Sequence, residues 1–296
     1  MNNQAQPNEH RPDSDKAPSN EMPWQRERRR SAEWRKLLVD YYNEHPELNI
    51  DLAAADVLRD HPEYAPEAEH WLAGYKSHCE RCRTEFVRQA GIYADCRFDN
   101  FRLHGSAAEQ KQQRAILKRL RAMLPTEGLR LWLSDLGRAI KAGQNILFVG
   151  NCGTGKDHLM HGLLWHVCGG VNLSYQIQNY ATLRRRLKDA ATSDGQTEST
   201  IINSLCEATL LCISDLVPNN GKPLSDFQAD CLYQIVDGRM LARRPIWATL
   251  NLPTGHTMDE EGDERLTPPV WDRLRHGALI VACDWQCFRK PAEIIG

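Results

Sequence analysis

The second half of the chain is punctuated by short apolar runs, each followed by turn-forming residues. Ile146 to Val149, Leu210 to Ile213, Pro245 to Leu250 and Ala278 to Cys283 are such runs, and Ser174 to Gln178 adds a mixed one. Short continuous apolar runs of this kind mark strands buried on both faces, so five strands are expected. Between them the period changes to that of helices. Leu159, Leu163, Leu164 and Val167 form one stripe that Gly169-Gly170 should stop, and Tyr180, Leu183 and Leu187 form another. Ile201 to Glu207 reads as a short helix after a polar link, Thr192 to Thr200. Leu224 to Arg243 reads as a helix capped by Ser225, with Phe227, Cys231, Ile235 and Val236 turned inward. A last helix is expected over Glu264 to His276. Ahead of the first strand, Ile116, Leu117, Leu120, Met123 and Leu124 define a long amphipathic helix with Lys111, Arg114, Lys118, Arg119 and Arg121 on its other faces. A second helix, Leu129 to Ala142, closes at Gly143. The whole reads as one α/β domain over residues 86–296.

The first part of the chain has a different character. Residues 1–22 are rich in Asn, Pro, Asp, Ser and Gln and have little to bury, so a disordered tail is expected. Residues 23–85 read as a small helical partner-binding module. Trp24 to Lys36 interleaves Trp24 and Trp34 with Arg26, Arg28, Arg29, Arg30, Arg35 and Lys36. Such a stretch suits a nucleic-acid contact, or a solvated helix face whose tryptophans pack internally, which is the commoner outcome. From residue 40 to 75, His45-Pro46, His61-Pro62 and Ala65-Pro66 should break the chain into short helices. Cys79 and Cys82 have the spacing of half a zinc site on a tight turn. His70, His78 and Cys96 are candidates for the other half, at no spacing that fixes the pairing. A lone pair of this kind is more often a metal-free turn.

Composition narrows the class. The 296 residues carry a net charge of −2 with 26% charged residues, which excludes a uniformly basic nucleic-acid coat but leaves room for local basic patches. No apolar run is long enough to span a bilayer, and the N-terminus lacks a signal-peptide core, so a cytoplasmic protein without a membrane partner is expected. Of the ten cysteines, Cys152, Cys168, Cys206, Cys212 and Cys231 sit within apolar patterns as small hydrophobes, and reduced thiols are expected.

The chemistry concentrates at Gln144 to Leu159. The strand Ile146 to Val149 runs into Gly150, then four residues, then Gly155-Lys156 and a helical stripe, which is the spacing of a phosphate-binding loop. Glycines let backbone N–H groups turn toward a polyphosphate, Lys156 adds a point charge, and the helix presents its positive end. Asp157 stands where a Ser or Thr hydroxyl ordinarily reaches Mg²⁺. Further along, Arg184, Arg185, Arg186 and Lys188 form a dense basic group suited to DNA or another anion. The third strand ends in Ser214-Asp215, the fourth in Asn251, and Asp272-Arg273-Leu274-Arg275 precedes the fifth.

The order of these features resembles an AAA+ ATPase, and more narrowly the DnaC-like helicase loaders and the IstB-like transposition helper ATPases. The resemblance covers roughly Arg88 to Arg289. It rests on Arg-Gln-Ala-Gly-Ile and Cys-Arg-Phe-Asp-Asn-Phe before the core, Gly-Thr-Gly-Lys-Asp-His-Leu, Gln234-Ile235-Val236-Asp237-Gly238-Arg239 with Arg244-Pro245, and Asp272-Arg273-Leu274-Arg275. It implies a P-loop NTPase three-layer sandwich with a parallel five-stranded sheet and no C-terminal helical lid. By that resemblance Gly150, Asn151, Cys152, Gly153, Thr154, Gly155, Lys156, Asp157 and His158 would hold ATP. Asp215 would position or activate the attacking water, and Asn251 would be the sensor near the γ-phosphate. Arg273 would be an arginine finger serving a neighbouring subunit, with Arg265 and Arg275 as competitors. Alignment puts Ser214 where the metal-holding Asp usually stands, so Asp157, Ser214 and Asp215 would surround Mg²⁺, with hydroxyl and carboxylate exchanged between Asp157 and Ser214.

The function implied is an oligomeric ATP-hydrolysing loader that holds a replicative helicase and single-stranded DNA. The alternatives are a transposition helper that binds DNA and a transposase, and a nucleotide-binding regulator with little turnover.

Overall fold

A computed structural model describes residues 22–45, 48, 50–125, 131, 134–168, 173–191, 197–217 and 222–289. The tail 1–21, the Gly169-Gly170 stop, the start of the expected 129–142 helix and most of the 192–200 link lie outside the described residues. The chain divides into two units, Met1–Ala73 and Gly74–Gly296.

The first unit is helical. α1 (Pro23–Glu44) starts at a proline, where a missing N–H costs nothing, and α2 (Ile50–Asp60) follows. Trp34, Leu38, Ala53, Ala54, Val57 and Ala68 form its core. Trp34 is fully buried and Trp24 is 58% exposed, so of the two tryptophans in the basic stretch one is a core residue. Arg30 makes a two-pronged ion pair with Glu67 at 2.5 and 3.1 Å and lies over the Tyr64 ring. These contacts favour the internally packed face for Trp34 and Arg30.

The expected series of short helices is corrected at α3 (Ala65–Ala90), a single 26-residue helix. Pro66 stands in its first turn, where proline starts a helix rather than breaking it. Cys79 and Cys82 therefore sit inside a helix, not on a tight turn. Cys82 Sγ meets His78 Nε2 at 3.5 Å, burial raises the Cys96 thiol to about 11, and the described residues contain no group of three or more His, Cys, Asp or Glu able to hold a metal. The zinc expectation is withdrawn.

In the second unit five parallel strands, β1 (Ile146–Val149), β2 (Tyr175–Asn179), β3 (Leu210–Ser214), β4 (Ile246–Leu250) and β5 (Leu279–Ala282), pair in the order β2-β3-β4-β1-β5. Side chains alternate between the two faces of a strand, and the cores follow. Ile146, Phe148, Leu210, Cys212 and Trp247 join one core, and Leu147, Val149, Leu211, Ile213 and Ala248 join the other. The first core is covered by α4 (Ala107–Met123), α5 (Asp135–Lys141) and α6 (Lys156–Cys168), with Phe86 of α3. The second is covered by α7 (Tyr180–Ala190), α8 (Glu198–Glu207), α9 (Asp226–Leu241), α10 (Met258–Leu266) and α11 (Pro268–Arg275). This is the α/β three-layer P-loop NTPase sandwich. No helix among the described residues is long and apolar enough to cross a membrane.

Side-chain caps fix where several helices begin. Ser106 and Glu109 form a reciprocal capping box on α4, Ser134 caps α5, and Asn179 caps α7. Three details depart from expectation. The helix expected over 264–276 is two, because Thr267 adopts φ 75° and Pro268 starts α11. Phe227, one residue into α9, is 37% exposed rather than inward. α8 begins at Glu198, three residues early, because Thr197 caps it.

Candidate functional site

In a parallel sheet, ligands bind beyond the carboxyl ends of the strands. Here the residues following β1, β3 and β4 meet there. The loop from Gly150 to Gly155 takes its shape from three glycines at φ 150°, 77° and 88°, Gly150, Gly153 and Gly155. All three are held by close neighbours as well: a Cβ on Gly150 would strike the Cys283 carbonyl oxygen, one on Gly153 would strike Cys287 Sγ, and one on Gly155 would come within 2.8 Å of the Phe101 ring. The loop opens on a cavity of about 370 Å³. Cys152, Gly153, Gly155, Lys156, Asp157 and His158 form one wall, and Asp215 and Asn251 form another.

Lys156 is only 4% exposed. Its Nζ donates to the carbonyls of Gly150 (2.9 Å) and Asn151 (2.6 Å) and to Asn251 Oδ1 (2.8 Å). Burial lowers its proton affinity, and the nearby acidic groups, Cys283 and Asp157 first, oppose that effect. Asn251 in turn donates Nδ2 to Asp215 Oδ1 at 3.1 Å. The Asp215 N–H donates to Thr249 Oγ1 at 2.9 Å, and that hydroxyl donates to Asp157 Oδ1 at 3.0 Å. Lys156, Asn251, Asp215, Thr249 and Asp157 thus form one run of hydrogen-bonded residues. Asp215 is locked at φ 53°, a left-handed conformation that Asp tolerates better than most residues. Burial is the main cause raising its carboxyl above the usual range, with the Asp157 charge adding to it and Asn251, Lys156 and Arg289 opposing.

Behind the loop, His158 bonds the Arg97 carbonyl at 2.8 Å, and burial lowers its proton affinity. His161, also lowered by burial, bonds the Asp157 carbonyl and stacks on Tyr93 at 4.7 Å. Burial and the charges of Asp157 and Asp215 push the Tyr93 phenol up to about 12.

Ser214 is 4% exposed and does not line the cavity; the hydroxyl that meets Asp157 belongs to Thr249. Sequence reasoning passed over Thr249, although a signal existed. It stands two residues before Asn251, and alternate residues of a strand share a face. Sequence reasoning also passed over the wall made by Phe101, His104, Phe288 and Arg289.

Arg273 does not line this cavity. Its Nε pairs with Asp237 at 2.7 Å, one terminal nitrogen bonds the Tyr233 hydroxyl at 2.9 Å, and the guanidinium lies over the Tyr233 ring. It borders a second cavity, of about 420 Å³, with Arg239, Arg243, Arg244 and His276. Arg265 pairs with Glu261, and Arg275 with Asp259. On α7, Arg184 is half-buried, Arg185 is exposed, and Arg186 bonds Gln178 at 3.2 Å.

The donor set suits a magnesium nucleotide. A glycine-shaped loop, a buried ammonium and two carboxylates, Asp157 and Asp215, face one cavity. One or two carboxylates are the usual protein share of such an ion, phosphates and water supplying the rest. The model of the family described as IstB-like ATP binding protein matches residues 134–294, more than half of the chain. The chain belongs to this family. It is an AAA+ protein that binds ATP, and its fold is that of the helicase loaders. The crystal structure of the DnaC helicase loader is 18% identical, with a TM-score of 0.50 over 65% of this chain and 98% of that one, a likeness of fold. The crystal structure of DnaI is 18% identical, with a TM-score of 0.46 over 64% of this chain and 92% of that one. AMPPCP-bound DnaA from Aquifex aeolicus is 13% identical, with a TM-score of 0.45 over 64% and 50%. No curated protein sequence matches the chain.

Proposed function

We propose that the protein is an ATP-hydrolysing helicase loader of the cytoplasm. The observation that carries the ATPase reading is the chain of hydrogen bonds from Lys156 through Asn251, Asp215 and Thr249 to Asp157. Lys156 turns from the loop carbonyls to the β- and γ-phosphates. Asp215, once deprotonated, takes the proton of the attacking water, and Asn251 orients that water beside it. Asp157 and Asp215 would hold Mg²⁺, which would supply charge neutralisation at the phosphoryl group.

Arg273 serves the site of an adjacent subunit. Its position on a second, arginine-lined cavity rather than its own nucleotide cavity supports that reading. The exposed Arg185, with Arg184 and Arg186, would contact the backbone of single-stranded DNA, and the helical N-terminal module would hold the helicase. The family match favours a second reading, a transposition helper that binds DNA and a transposase.

Mixing two inactive variants tests the inter-subunit site. Lys156→Ala and Arg273→Ala each lose phosphate release, and the mixture recovers part of it, because some interfaces then pair an intact loop with an intact arginine. A mixture as inactive as its components removes Arg273 from the reaction. Release stimulated by single strands, with helicase co-purification, supports the loader. Stimulation by duplex, with transposase co-purification, supports the second reading.

A further inference from the structure

The segment that follows β5 is tied to the phosphate loop from outside it. Cys283 N–H donates to the Val149 carbonyl at 2.7 Å. The buried Trp285 donates its indole N–H to the Thr154 carbonyl at 2.8 Å, and Phe288 N–H donates to the Gly153 carbonyl at 2.9 Å. A second set of bonds holds the same segment to the start of α4. Gln286 N–H donates to Glu109 Oε1 at 2.8 Å, and its carbonyl pairs with His104 Nε2 at 2.9 Å. Residues 283–289 therefore form a strap fixed at several points across the loop. Cys287 occupies the space a side chain at Gly153 would need, which makes that glycine a packing requirement as well as a turn.

Arg289, in this strap, lines the nucleotide cavity together with Gly153, Lys156, Asp157 and Asp215. Its Cγ lies 3.5 Å from where a Cβ on Gly153 would stand. Its positive charge is felt by Asp215 and by Tyr93 across the cavity. Three other arginines of this unit are engaged: Arg239 by carbonyls, Arg273 by Asp237, and Arg97 by carbonyls and the face of Trp165. Among the described residues no ion pair or side-chain hydrogen bond engages the Arg289 guanidinium.

We infer that Arg289 is a phosphate-binding residue of the same subunit, carried to the polyphosphate by the strap. The inference rests on the nucleotide reading of the loop and deepens it. A guanidinium offers several coplanar donors, and its bonds to phosphate oxygens are charge-assisted. Lys156 reaches the phosphates from beneath the loop, and Arg289 approaches from the strap side. Because the strap is tied to the loop backbone, the arginine is positioned before nucleotide arrives, which limits the ordering cost of binding.

Binding of fluorescent ATP, ADP and AMP to the full-length protein, with no turnover required, tests this. Arg289→Ala should weaken ATP by about tenfold or more, the scale of one charge-assisted hydrogen bond. ADP should weaken less or equally, and AMP little. Arg289→Lys should recover part of the loss, and Trp285 fluorescence should report an intact strap in both variants. ATP affinity unchanged in Arg289→Ala overturns the inference while leaving the loop reading in place. Equal losses for ATP, ADP and AMP also overturn it, since they would mark a disturbed strap rather than a lost phosphate contact. If Lys156→Ala binds ATP as the wild type does, the loop reading itself fails and the inference falls with it.

Discussion

Among the described residues two cations are buried in the ATP-binding unit, at opposite ends of the parallel sheet, and their surroundings differ. Arg239, fully buried on α9, sits at the amino ends of β3 and β4 and donates to the carbonyls of Leu205, Ala208, Thr209 and Pro245. Burial lowers its proton affinity to about 10. Nearly every donor is used by backbone that never leaves the fold, although Nε has no partner. Lys156, at the carboxyl ends, also rests on carbonyls, and both cations border a cavity, but that of Arg239 is lined by further arginines whereas that of Lys156 is shared with two carboxylates, Asp157 and Asp215. The first cation closes a structure and the second faces the cavity of the phosphate loop. Burial alone does not separate a structural charge from a functional one; what separates them is whether the acceptors are permanent.

The largest expected effect comes from removing the closed cation. Arg239→Met strands several buried carbonyls and should lower unfolding free energy by roughly 3–5 kcal/mol in urea titration. A loss below about 1 kcal/mol would remove the contrast. Next is the hydroxyl that joins the two carboxylate residues. Thr249→Val leaves the Asp215 N–H and one Asp157 oxygen without their partner, and should cost about 1–3 kcal/mol of stability together with a clear loss of Mg²⁺-dependent nucleotide affinity. Thr249→Ser should keep most of both.

A subtler effect is in pH. Asp215 has a raised pKa in the folded state, against about 3.9 unfolded. Between the two values the native state holds a proton that the unfolded state has lost. Stability from this group therefore falls as pH rises through that window. The same protonation silences the base, so phosphate release should fail on acidification at a pH above that of an ordinary carboxylate. Asp157→Asn removes a repelling charge and should move that limb downward. A limb that stays in place would assign it to another group.

These contrasts also mark what was legible. The strands were readable because both faces are buried, leaving continuous apolar runs such as Ile146 to Val149. The loop was readable because glycine, lysine and helix lie within a few residues of one another. Asn251 and Asp215 could be located by strand ends, but the bond between them spans 36 positions and shows only in the fold. Arg239 lay inside a motif used for recognition, yet its acceptors are carbonyls, which carry no sequence identity. The strap was unreadable for a similar reason: its anchors are backbone groups of Gly153 and Thr154, and no periodicity marks residues 283–289. The Pro66 and Thr267 boundaries failed because one residue can either start or stop a helix depending on its neighbours.

The central claim is that Lys156 is held for a ligand whereas Arg239 is held for the fold. The most direct test pairs calorimetric titration of Mg²⁺-ATP with urea unfolding for Lys156→Met. The expected result is an unfolding free energy within about 1 kcal/mol of the wild type, because water can meet the freed acceptors from the cavity, and a loss of affinity of about tenfold or more. A variant that binds as the wild type does, or one that unfolds as Arg239→Met is expected to, would contradict it.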